Sequence, residues 1–492
     1  MFFTSTRKNC QITASAAIAK GISEDGGLFV PSEFPKLAAG ELEALAKLSY
    51  KERAAQVLQK YLGDFTADEL AYCVEGAYEG KFDNNDPAPV REIYSNVNIL
   101  ELWHGPTCAF KDMALQILPY LLTASTRKNC PDRTTVILVA TSGDTGKAAL
   151  DGFADVPGTK IIVFFPRDGV SDMQKLQMTT QKGGNVAVCA IEGNFDDAQS
   201  GVKNIFADKE IAALLESRNM EFSSANSINF GRLAPQIVYY ISSYCDLVKA
   251  GKIACGDAVN VAVPTGNFGN ILAAYYAKQM GLPIKRFICA SNRNNILSDF
   301  ISTGVYDRNR PFFTTESPSM DILISSNLER LLYHLSNDDC ALVAKLMDEL
   351  KRDGRYTVPA ELLAGIKDEF FGGYCSDEDA RQTIRNCFEK YNYLCDTHTA
   401  VAVNVYERYA AETGDKTPVI IASTASPYKF APAVLNALGG KAAEDGFAVM
   451  EELSKLTLTP VPAPLAGLKT AQVLHKDTCA KEKMAEFICS VL

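Results

Sequence analysis

The sequence lacks the features that would place the chain in a membrane. Of its 492 residues 47% are hydrophobic and 22% are charged, which is typical of a globular protein with a substantial core. No apolar stretch approaches the roughly 20 residues that a membrane span requires. The first residues, among them Phe2, Phe3 and Arg7, contain no apolar segment long enough for a signal peptide. We therefore expect a cytoplasmic protein with no membrane partner.

Cysteine spacing excludes the common metal and redox motifs. The chain has 14 cysteines, yet no two of them form a C-x-x-C pair, so the spacing of zinc ribbons and of thioredoxin-like sites is missing. Scattered cysteines in a long chain are typical of reduced thiols in an intracellular protein. The sequence therefore predicts neither a disulfide framework nor a metal site.

Basic runs are also absent. The chain contains 49 Lys and Arg against 59 Asp and Glu, a formal net charge of -10. An anionic protein without a basic patch is a poor candidate for nucleic-acid binding, and we predict no nucleic-acid partner. An anionic small molecule would have to be bound by local donors instead.

The pattern along the chain indicates a helical N-terminal region followed by α/β layers. Apolar residues recur at helical spacing through 42–62 and 70–78, and a linker rich in Asn and Pro follows at 84–89. Beyond it, strand-like runs alternate with helical segments, and these runs have no polar face. Such strands are typical of parallel sheets covered on both sides, so we predict a doubly wound α/β fold. The runs lie at residues 134–140, 160–165, 258–264, 286–290 and 418–422.

One polar loop, Thr-Gly-Asn-Phe-Gly-Asn at 265–270, joins such a strand to a helix. In open α/β sheets ligands bind beyond the carboxyl ends of the strands. Glycines allow close backbone approach there, and N–H groups at a helix N-terminus attract phosphate above all. A tight turn with an Asn cap explains the same residues. The loop is neither a Walker loop nor a dinucleotide fingerprint, since it lacks the Lys-Ser/Thr pair and the third glycine.

Two further loops fit either a ligand or a structural role. Residues 141–146 offer hydroxyl and N–H groups for a carboxylate, although Ser142 or Asp144 would also cap the helix that follows. Thr424, in Ser-Thr-Ala-Ser-Pro at 423–427, has a hydroxyl suited to a ring nitrogen, although a proline-stopped turn looks the same. Taken alone, both loops favour the structural interpretation.

Lys111 is the candidate nucleophile. It follows a Gly-Pro turn and Phe110, and it opens an apolar helical run that starts with Met113. Most lysines are solvated surface residues. A lysine among apolar neighbours is partly desolvated, however, which lowers its pKa and suits it to Schiff-base chemistry.

Six segments together resemble the threonine synthases, a family of fold-type-II pyridoxal-phosphate enzymes, and in particular their long bacterial and fungal subgroup. The segments occur in the family's order and spread over most of the chain. They are residues 25–31, 104–107 with 109–112, 142–146, 226–229 with 231–233, 266–270 and 424–430.

The resemblance implies a role for each matched residue. Lys111 corresponds to the lysine that bonds to pyridoxal phosphate and later transfers protons, and Thr424 corresponds to the hydroxyl near the pyridine nitrogen. The loop that receives the substrate carboxylate corresponds to Ser142, Asp144 and Thr145. The cradle for the cofactor phosphate corresponds to Gly266, Asn267, Phe268, Gly269 and Asn270.

The resemblance also implies that Asn229 and Arg232 contribute to the site for the substrate phosphate. An Arg fork suits phosphate oxygens. The alternative is that Arg232 pairs with an acidic side chain across a domain interface. Two positions depart from the family: Ser426 stands where the subgroup commonly has His, and Cys108 stands where an apolar residue is frequent.

By the same resemblance we expect two lobes and a mainly helical N-terminal domain. We assign 1–90 to the N-terminal domain, 91–125 with 235–492 to a large cofactor domain, and 126–234 to a small α/β domain. A helical elaboration is expected at about 317–390. We expect a monomer or a homodimer.

The implied reaction converts O-phospho-L-homoserine and water to L-threonine and phosphate. Three alternatives stay open at this point. A phospho-lyase acting on O-phosphoserine or O-phosphothreonine would release a 2-oxo acid. A nucleotide-binding oxidoreductase has only the βαβ pattern in its favour, and a non-catalytic homologue would not need Lys111.

Overall fold

A computed structural model of the chain describes residues 1–83, 86–130, 132–141, 143–168, 170–441, 443 and 445–492. The linker residues Asn84 and Asn85 and the candidate Ser142 lie outside the described residues. The strands are β1 Phe2–Ser5, β2 Ile12–Thr13, β3 Phe29–Pro31, β4 Val90–Tyr94, β5 Val97–Glu101, β6 Thr134–Ala140, β7 Thr159–Pro166, β8 Val186–Glu192, β9 Met220–Ser223, β10 Val259–Pro264, β11 Ile284–Ser291, β12 Val305–Asp307, β13 Arg355–Thr357, β14 Phe370–Tyr374, β15 Val419–Ser423 and β16 Asp477–Ala480.

Helices surround these strands. They are α1 Ala14–Lys20, α2 Glu41–Leu45, α3 Tyr50–Tyr61, α4 Ala67–Tyr78, α5 Asp112–Leu115, α6 Leu118–Asn129, α7 Asp144–Phe153, α8 Asp172–Thr179, α9 Phe195–Phe206, α10 Lys209–Ser217, α11 Phe230–Lys249, α12 Gly269–Met280, α13 Ile296–Thr303, α14 Leu328–Leu335, α15 Cys340–Asp353, α16 Ala360–Glu369, α17 Asp377–Tyr391, α18 Thr397–Thr413, α19 Ala431–Ala437, α20 Gly446–Thr457, α21 Ala463–Ala466 and α22 Met484–Val491. Within the described ranges, no helix is long and apolar enough to cross a membrane.

The larger sheet has six strands in the order β14-β11-β10-β15-β5-β4. Only the edge strand β4 is antiparallel to its neighbour, while the other described pairings in this sheet are parallel. Every residue of β10 and of β15 is buried, because helices cover both faces of the sheet. The loops after β10 and β15 therefore emerge at the same edge, and they are the two loops predicted to hold the cofactor.

The smaller sheet has five parallel strands in the order β16-β8-β7-β6-β9. Its β6 leads into the loop at 141–146 and then into α7, as the sequence predicts. Strand β16 was expected in the large domain, within 235–492, but it pairs with β8 in the small sheet. The correction has a physical reason: β8 has a free edge beside β7, and a late segment of the chain fills it. The rest of the predicted division stays a prediction.

The N-terminal region combines helices with a small antiparallel sheet, β2-β1-β3, which the helical pattern had not indicated. The segment 42–62, where apolar residues recur at helical spacing, forms two helices, α2 and α3. Ser49 interrupts it, because its side chain caps α3 in a capping box with Glu52.

The predicted elaboration at 317–390 contains four helices, α14 to α17, and also strands. Its β14 forms an edge of the large sheet by pairing with β11. The stretch before α14, residues 317–327, lies against the loop that follows β10. This stretch is therefore part of the site rather than a peripheral addition.

Candidate active site

The loop that carries Lys111 is paired with the loop after β15. Phe110 N donates to Thr424 O at 2.8 Å, Ser426 N donates to Cys108 O at 3.0 Å, and Ala109 bridges Ala425 in antiparallel fashion. Lys111 itself directly precedes the short helix α5. These backbone contacts bring Lys111 and Thr424, which are 313 positions apart in the sequence, to the same site.

A buried carboxyl group fixes the turn before Lys111. Asp112 is fully buried and accepts hydrogen bonds from Thr107 N at 2.8 Å and from Thr107 Oγ1 at 2.6 Å. Burial raises the pKa of Asp112 to about 7, against the effect of these bonds. Gly105 has to be glycine here, because a Cβ at that position would lie 2.6 Å from Asp112 Oδ2.

The Lys111 side chain is half-buried, and its amine has no hydrogen-bond partner in the described part of the chain. Its Nζ lies 5.0 Å from the centre of the Phe110 ring. Burial lowers the pKa of Lys111; the charge of Asp144 opposes the shift, and those of Lys429 and Arg232 add to it. A lowered pKa leaves more of the neutral amine, which is the nucleophilic form.

Lys429, which sequence reasoning did not single out, forms a buried ion pair with Asp144. Lys429 Nζ lies 2.9 Å from Asp144 Oδ1, and the two side chains are 2% and 5% exposed. The same Nζ donates to Thr107 O at 2.8 Å. Burial alone would raise the pKa of Asp144, but the charges of Lys429 and Lys111 outweigh it and hold that pKa below its ordinary value. The pair joins the start of α7, on the small sheet, to the loop after β15, on the large one.

Some of the hydrogen-bonding groups of the 141–146 loop bond to each other. Gly143 N and Gly146 N both donate to Thr141 Oγ1 at 3.0 Å. Gly143 has φ +152°, and a Cβ there would lie 2.4 Å from Gln174 Nε2, a group that donates to Asp144. Thr145 is half-buried at the first turn of α7. The Asp144 carboxylate is anionic and would repel a substrate carboxylate. Such a group would therefore have to bind to the backbone N–H and hydroxyl groups at the start of α7.

The loop after β10 has the form of a phosphate cradle. Phe268 adopts the left-handed conformation, with φ 64°, and turns the chain into α12. Among the described residues, no acceptor faces the backbone N–H groups of residues 266–270. Asn270 is 8% exposed; its Oδ1 accepts from Tyr239 Oη at 2.7 Å, and its buried Nδ2 has no partner in the described chain. Free N–H groups at a helix start and an unpartnered amide donor together suit an anion.

The two glycines of this loop are not equivalent. A Cβ on Gly266 would lie 2.7 Å from Ser319 O, whereas one on Gly269 would lie 3.4 Å from its nearest neighbour, Asn327 Nδ2. The sequence attributed both glycines to close approach of a ligand. For Gly266 the structure shows crowding by the chain itself.

Thr424 and Ser426 lie in the turn after β15. Thr424 is 6% exposed, and its hydroxyl has no hydrogen-bond partner among the described residues, so it is available to a ring nitrogen. Ser426 is fully buried, and its Oγ accepts from Tyr428 N at 3.3 Å. The departure from His at this position therefore places a small side chain in a tight turn.

Arg232 is a buried cation without a carboxylate. It lies in the first turn of α11 and is 3% exposed; its Nη1 donates to Ala225 O at 2.6 Å. Its Nε is buried and has no partner in the described parts of the chain, and burial lowers the pKa of Arg232 to about 10. An acidic partner, the alternative interpretation, is not found among the described residues.

Asn229 is occupied by structural bonds. It is the N-cap of α11: its Oδ1 accepts from Gly231 N at 2.8 Å, and its Nδ2 donates to Ile18 O at 3.0 Å. These bonds hold the start of the helix that carries Arg232, and they leave Asn229 less free to bind a ligand itself.

Comparisons with known proteins agree with this geometry. The chain matches "Pyridoxal-phosphate dependent enzyme" over residues 90–424, "Threonine synthase N terminus" over 2–78 and "Threonine synthase, C-terminal" over 399–472. It is 40% identical over 452 residues to the threonine synthase of Schizosaccharomyces pombe, covering 86% of each chain. This chain belongs to the threonine synthase family of pyridoxal-phosphate dependent enzymes.

A solved structure and a longer relative extend the comparison. The structure of pyridoxal-phosphate-bound threonine synthase from Brucella melitensis superposes with a TM-score of 0.89, at 36% identity, over 100% of this chain and 99% of that one. The threonine synthase-like 1 protein of Homo sapiens is 44% identical over 456 residues, which is 89% of this chain and 60% of that protein. The chain spans 58–64% of the length of the threonine synthase-like 1 relatives that it matches.

The predicted family and the fold-type-II architecture are confirmed, and with them pyridoxal phosphate as the family's cofactor. The residues of the site fit that cofactor. Lys111 could supply an amine of lowered pKa, the N–H groups of the 266–270 loop and Asn270 Nδ2 could donate to a phosphate, and the Thr424 hydroxyl could face a ring nitrogen. Among the described residues, no group of three or more His, Cys, Asp or Glu side chains is arranged to hold a metal ion.

Proposed function

We propose that the chain converts O-phospho-L-homoserine and water to L-threonine and phosphate, with pyridoxal phosphate bound through Lys111. The observation that carries the substrate assignment is Arg232. The Arg232 guanidinium is buried, its Nε has no hydrogen-bond partner, and no carboxylate pairs with it in the described chain, so it is suited to bind an anion. Its positive charge also lowers the pKa of Lys111. A substrate with its own phosphate group supplies that anion. Membership of the threonine synthase family supports this assignment.

Different residues of the site have different roles in the proposed reaction. The backbone N–H groups of residues 266–270 and the Asn270 side-chain amide would hold the cofactor phosphate, and the Thr424 hydroxyl would bond to the ring nitrogen. Bound pyridoxal phosphate supplies an electron sink for charge that develops next to the substrate amine. Lys111 Nζ would accept and return protons on the substrate carbons, since burial lowers its pKa and leaves more of the neutral, basic amine.

Binding of the substrate uses both sheets. The start of α7, with Thr145, receives the substrate carboxylate, and Arg232 receives its phosphate. The Asp144–Lys429 pair closes the two sheets over the site and keeps a charge of each sign beside Lys111.

A phospho-lyase that acts on O-phosphoserine or O-phosphothreonine is the second candidate. Ser426 favours it, because a small side chain stands where the threonine-forming subgroup commonly has His. The two candidates differ in product. The lyase releases a 2-oxo acid, whereas the synthase releases threonine.

The direct experiment supplies O-phosphohomoserine, O-phosphoserine and O-phosphothreonine to the purified holoenzyme and measures phosphate, threonine and 2-oxo acid. Threonine and phosphate in equal amounts from O-phosphohomoserine support the proposal. A 2-oxo acid from O-phosphoserine or O-phosphothreonine, without threonine from O-phosphohomoserine, transfers the assignment to the lyase.

Arg232→Lys tests the phosphate site. The variant should keep the absorbance of the bound cofactor and its melting temperature, yet lose at least about tenfold in kcat/KM and bind inorganic phosphate more weakly, since a Lys lacks the two-pronged geometry. Arg53→Lys is a matched control, because Arg53 is also buried but already pairs with Asp246 at 2.6 Å. The control should melt lower with phosphate inhibition unchanged. If Arg232→Lys behaves like the control, Arg232 is structural.

A cytoplasmic location and a monomeric or homodimeric state stay predictions. Gel filtration of the holoenzyme measures the second.

A further inference from the structure

The carbonyl groups of the cradle loop are held on the side away from its free N–H groups. Ser325 Oγ donates to Gly266 O at 2.7 Å, and Asn327 donates to Asn267 O twice, from its backbone N at 3.1 Å and from Nδ2 at 3.0 Å. In a planar trans peptide the C=O and the following N–H point in opposite directions. Fixing these two carbonyls therefore aims the N–H groups of Asn267 and Phe268 away from residues 325–327.

The orientation of the Asn327 amide is itself determined. Arg330 Nη1 donates to Asn327 Oδ1, and a guanidinium has donors only. Oδ1 must therefore face Arg330, which leaves Nδ2 to face Asn267 O. Both side chains are fully buried, so water does not compete for these bonds. Without Arg330 the amide could turn, and its oxygen would then oppose the Asn267 carbonyl.

Arg330 also ties the cradle to two distant parts of the chain. Its Nε donates to Phe29 O at 3.0 Å and its Nη2 donates to Ile228 O at 2.6 Å. Phe29 lies in the segment 25–31, which matched the family without an assigned role, and Ile228 directly precedes Asn229 in the segment 226–229. One guanidinium thus joins three of the six matched segments.

The charge of Arg330 is not cancelled by a bonded carboxylate among the described residues. The adjacent Glu329 is turned to Arg7, which donates to it at 2.8 and 2.7 Å. Burial lowers the pKa of Arg330 to about 10, so the group stays charged at neutral pH. A positive charge therefore lies behind a loop whose N–H groups suit a phosphate.

We infer that Asn327 and Arg330 are positioning residues for the phosphate group of the cofactor, acting through the Asn267 carbonyl rather than by contact with the ligand. The inference rests on the proposed function of the 266–270 loop. It also gives the segments 25–31 and 226–229 a task, which is to anchor the guanidinium that orients the cradle.

The test compares two ligands that differ only in the phosphate group. Cofactor-free protein is titrated with pyridoxal phosphate and with pyridoxal, and binding is followed by absorbance. Asn327→Asp keeps the shape of the side chain, removes the Nδ2 donor and neutralises Arg330. We expect it to weaken pyridoxal phosphate binding on the order of tenfold or more and to change pyridoxal binding less than about twofold. Ser325→Ala removes one donor to Gly266 O and should weaken pyridoxal phosphate alone, by about threefold.

Glu329→Gln is the matched control. It lies on the same helix and weakens a buried ion pair with Arg7, yet it has no bond to the 266–270 loop. Its melting temperature should fall while the ratio of the two affinities stays that of the wild type.

Three outcomes overturn the inference. A wild-type ratio in Asn327→Asp, or equal losses for both ligands, shows that Asn327 supports the fold only. Should Asn327→Asp not fold, Asn327→Ala, which also removes the Nδ2 donor to Asn267 O, decides by the same ratio. If the wild-type protein itself does not prefer pyridoxal phosphate to pyridoxal, the cradle assignment fails and the inference fails with it.

Discussion

The buried pair between Asp144 and Lys429 gives a quantitative prediction about how the two sheets are held together over Lys111. The side chains are 5% and 2% exposed, and the charged atoms are 2.9 Å apart. Removing one partner of such a pair leaves a buried charge without compensation, which costs about 3–5 kcal/mol, whereas replacing both by neutral groups costs far less. We expect Asp144→Asn and Lys429→Met each to lower the free energy of unfolding by about 3 kcal/mol. The double variant should lower it by no more than either single change, which corresponds to a coupling energy of about 3 kcal/mol.

The assay is urea unfolding of the cofactor-free protein, followed by the fluorescence of Trp103. That residue is the single tryptophan, and its Nε1 donates to Ser423 Oγ at 3.0 Å, at the end of the strand that leads to Lys429. Additive free energies in the double variant would refute the reasoning, because they would show that the two charges do not stabilise each other in the folded protein.

The same variants should move the pKa of Lys111 in opposite directions. Lys429 lowers that pKa and Asp144 raises it. Losing the cation stabilises the ammonium form, so Lys429→Met should shift the pH profile for reaction with pyridoxal to higher pH. Losing the anion destabilises that form, so Asp144→Asn should shift the profile to lower pH. Two shifts of the same sign would contradict the geometry.

Three further changes test single residues. Gly266→Ala should lower the melting temperature of the cofactor-free protein more than Gly269→Ala does, because its Cβ would lie 2.7 Å from Ser319 O instead of 3.4 Å from a side-chain nitrogen; equal melting temperatures would contradict this. Lys111→Ala should fold normally and lose turnover, and borohydride reduction of the wild-type holoenzyme followed by peptide mapping should place the pyridoxyl group on Lys111 and on no other lysine. Asn229→Ala removes the N-cap of α11 and should lower the free energy of unfolding, measured in urea, by about 1 kcal/mol. It should also weaken phosphate binding, because the start of the helix that carries Arg232 is displaced.

Local residue patterns were enough to predict the strands that carry the site. The β-branched runs at Thr134–Ala140 and Val259–Pro264 are strands, and the glycine-containing loops after them lead into helices as expected. Such patterns are strong because strands buried on both faces must be apolar throughout. Strand β16 was missed because its sequence, Asp-Thr-Cys-Ala, is short and polar, and its pairing with β8 depends on a partner almost 300 residues earlier.

The residues that sequence reasoning missed are those whose importance depends on tertiary neighbours. Lys429 is one of 49 basic residues, and nothing in Pro-Tyr-Lys-Phe distinguishes it from a surface lysine. Arg330 lies in Leu-Glu-Arg-Leu-Leu, which reads as an ordinary amphipathic helix. The signal for Lys429 was its place inside the matched segment 424–430, while Arg330 lies outside all six matched segments.

The sequence by itself determined the chemistry that is local: an apolar surrounding for Lys111, a glycine-containing turn at 266–270, a hydroxyl at Thr424 and the order of strands and helices that brings strand ends to one edge. Only the tertiary structure decided which charges face each other. It paired Asp144 with Lys429, left Arg232 without a carboxylate in the described chain, and used Arg330 to orient the cradle through Asn327. The physical reason is that apolar periodicity and turn preferences are properties of neighbouring residues, whereas the electrostatics of a buried charge depends on groups brought within a few ångströms by folding.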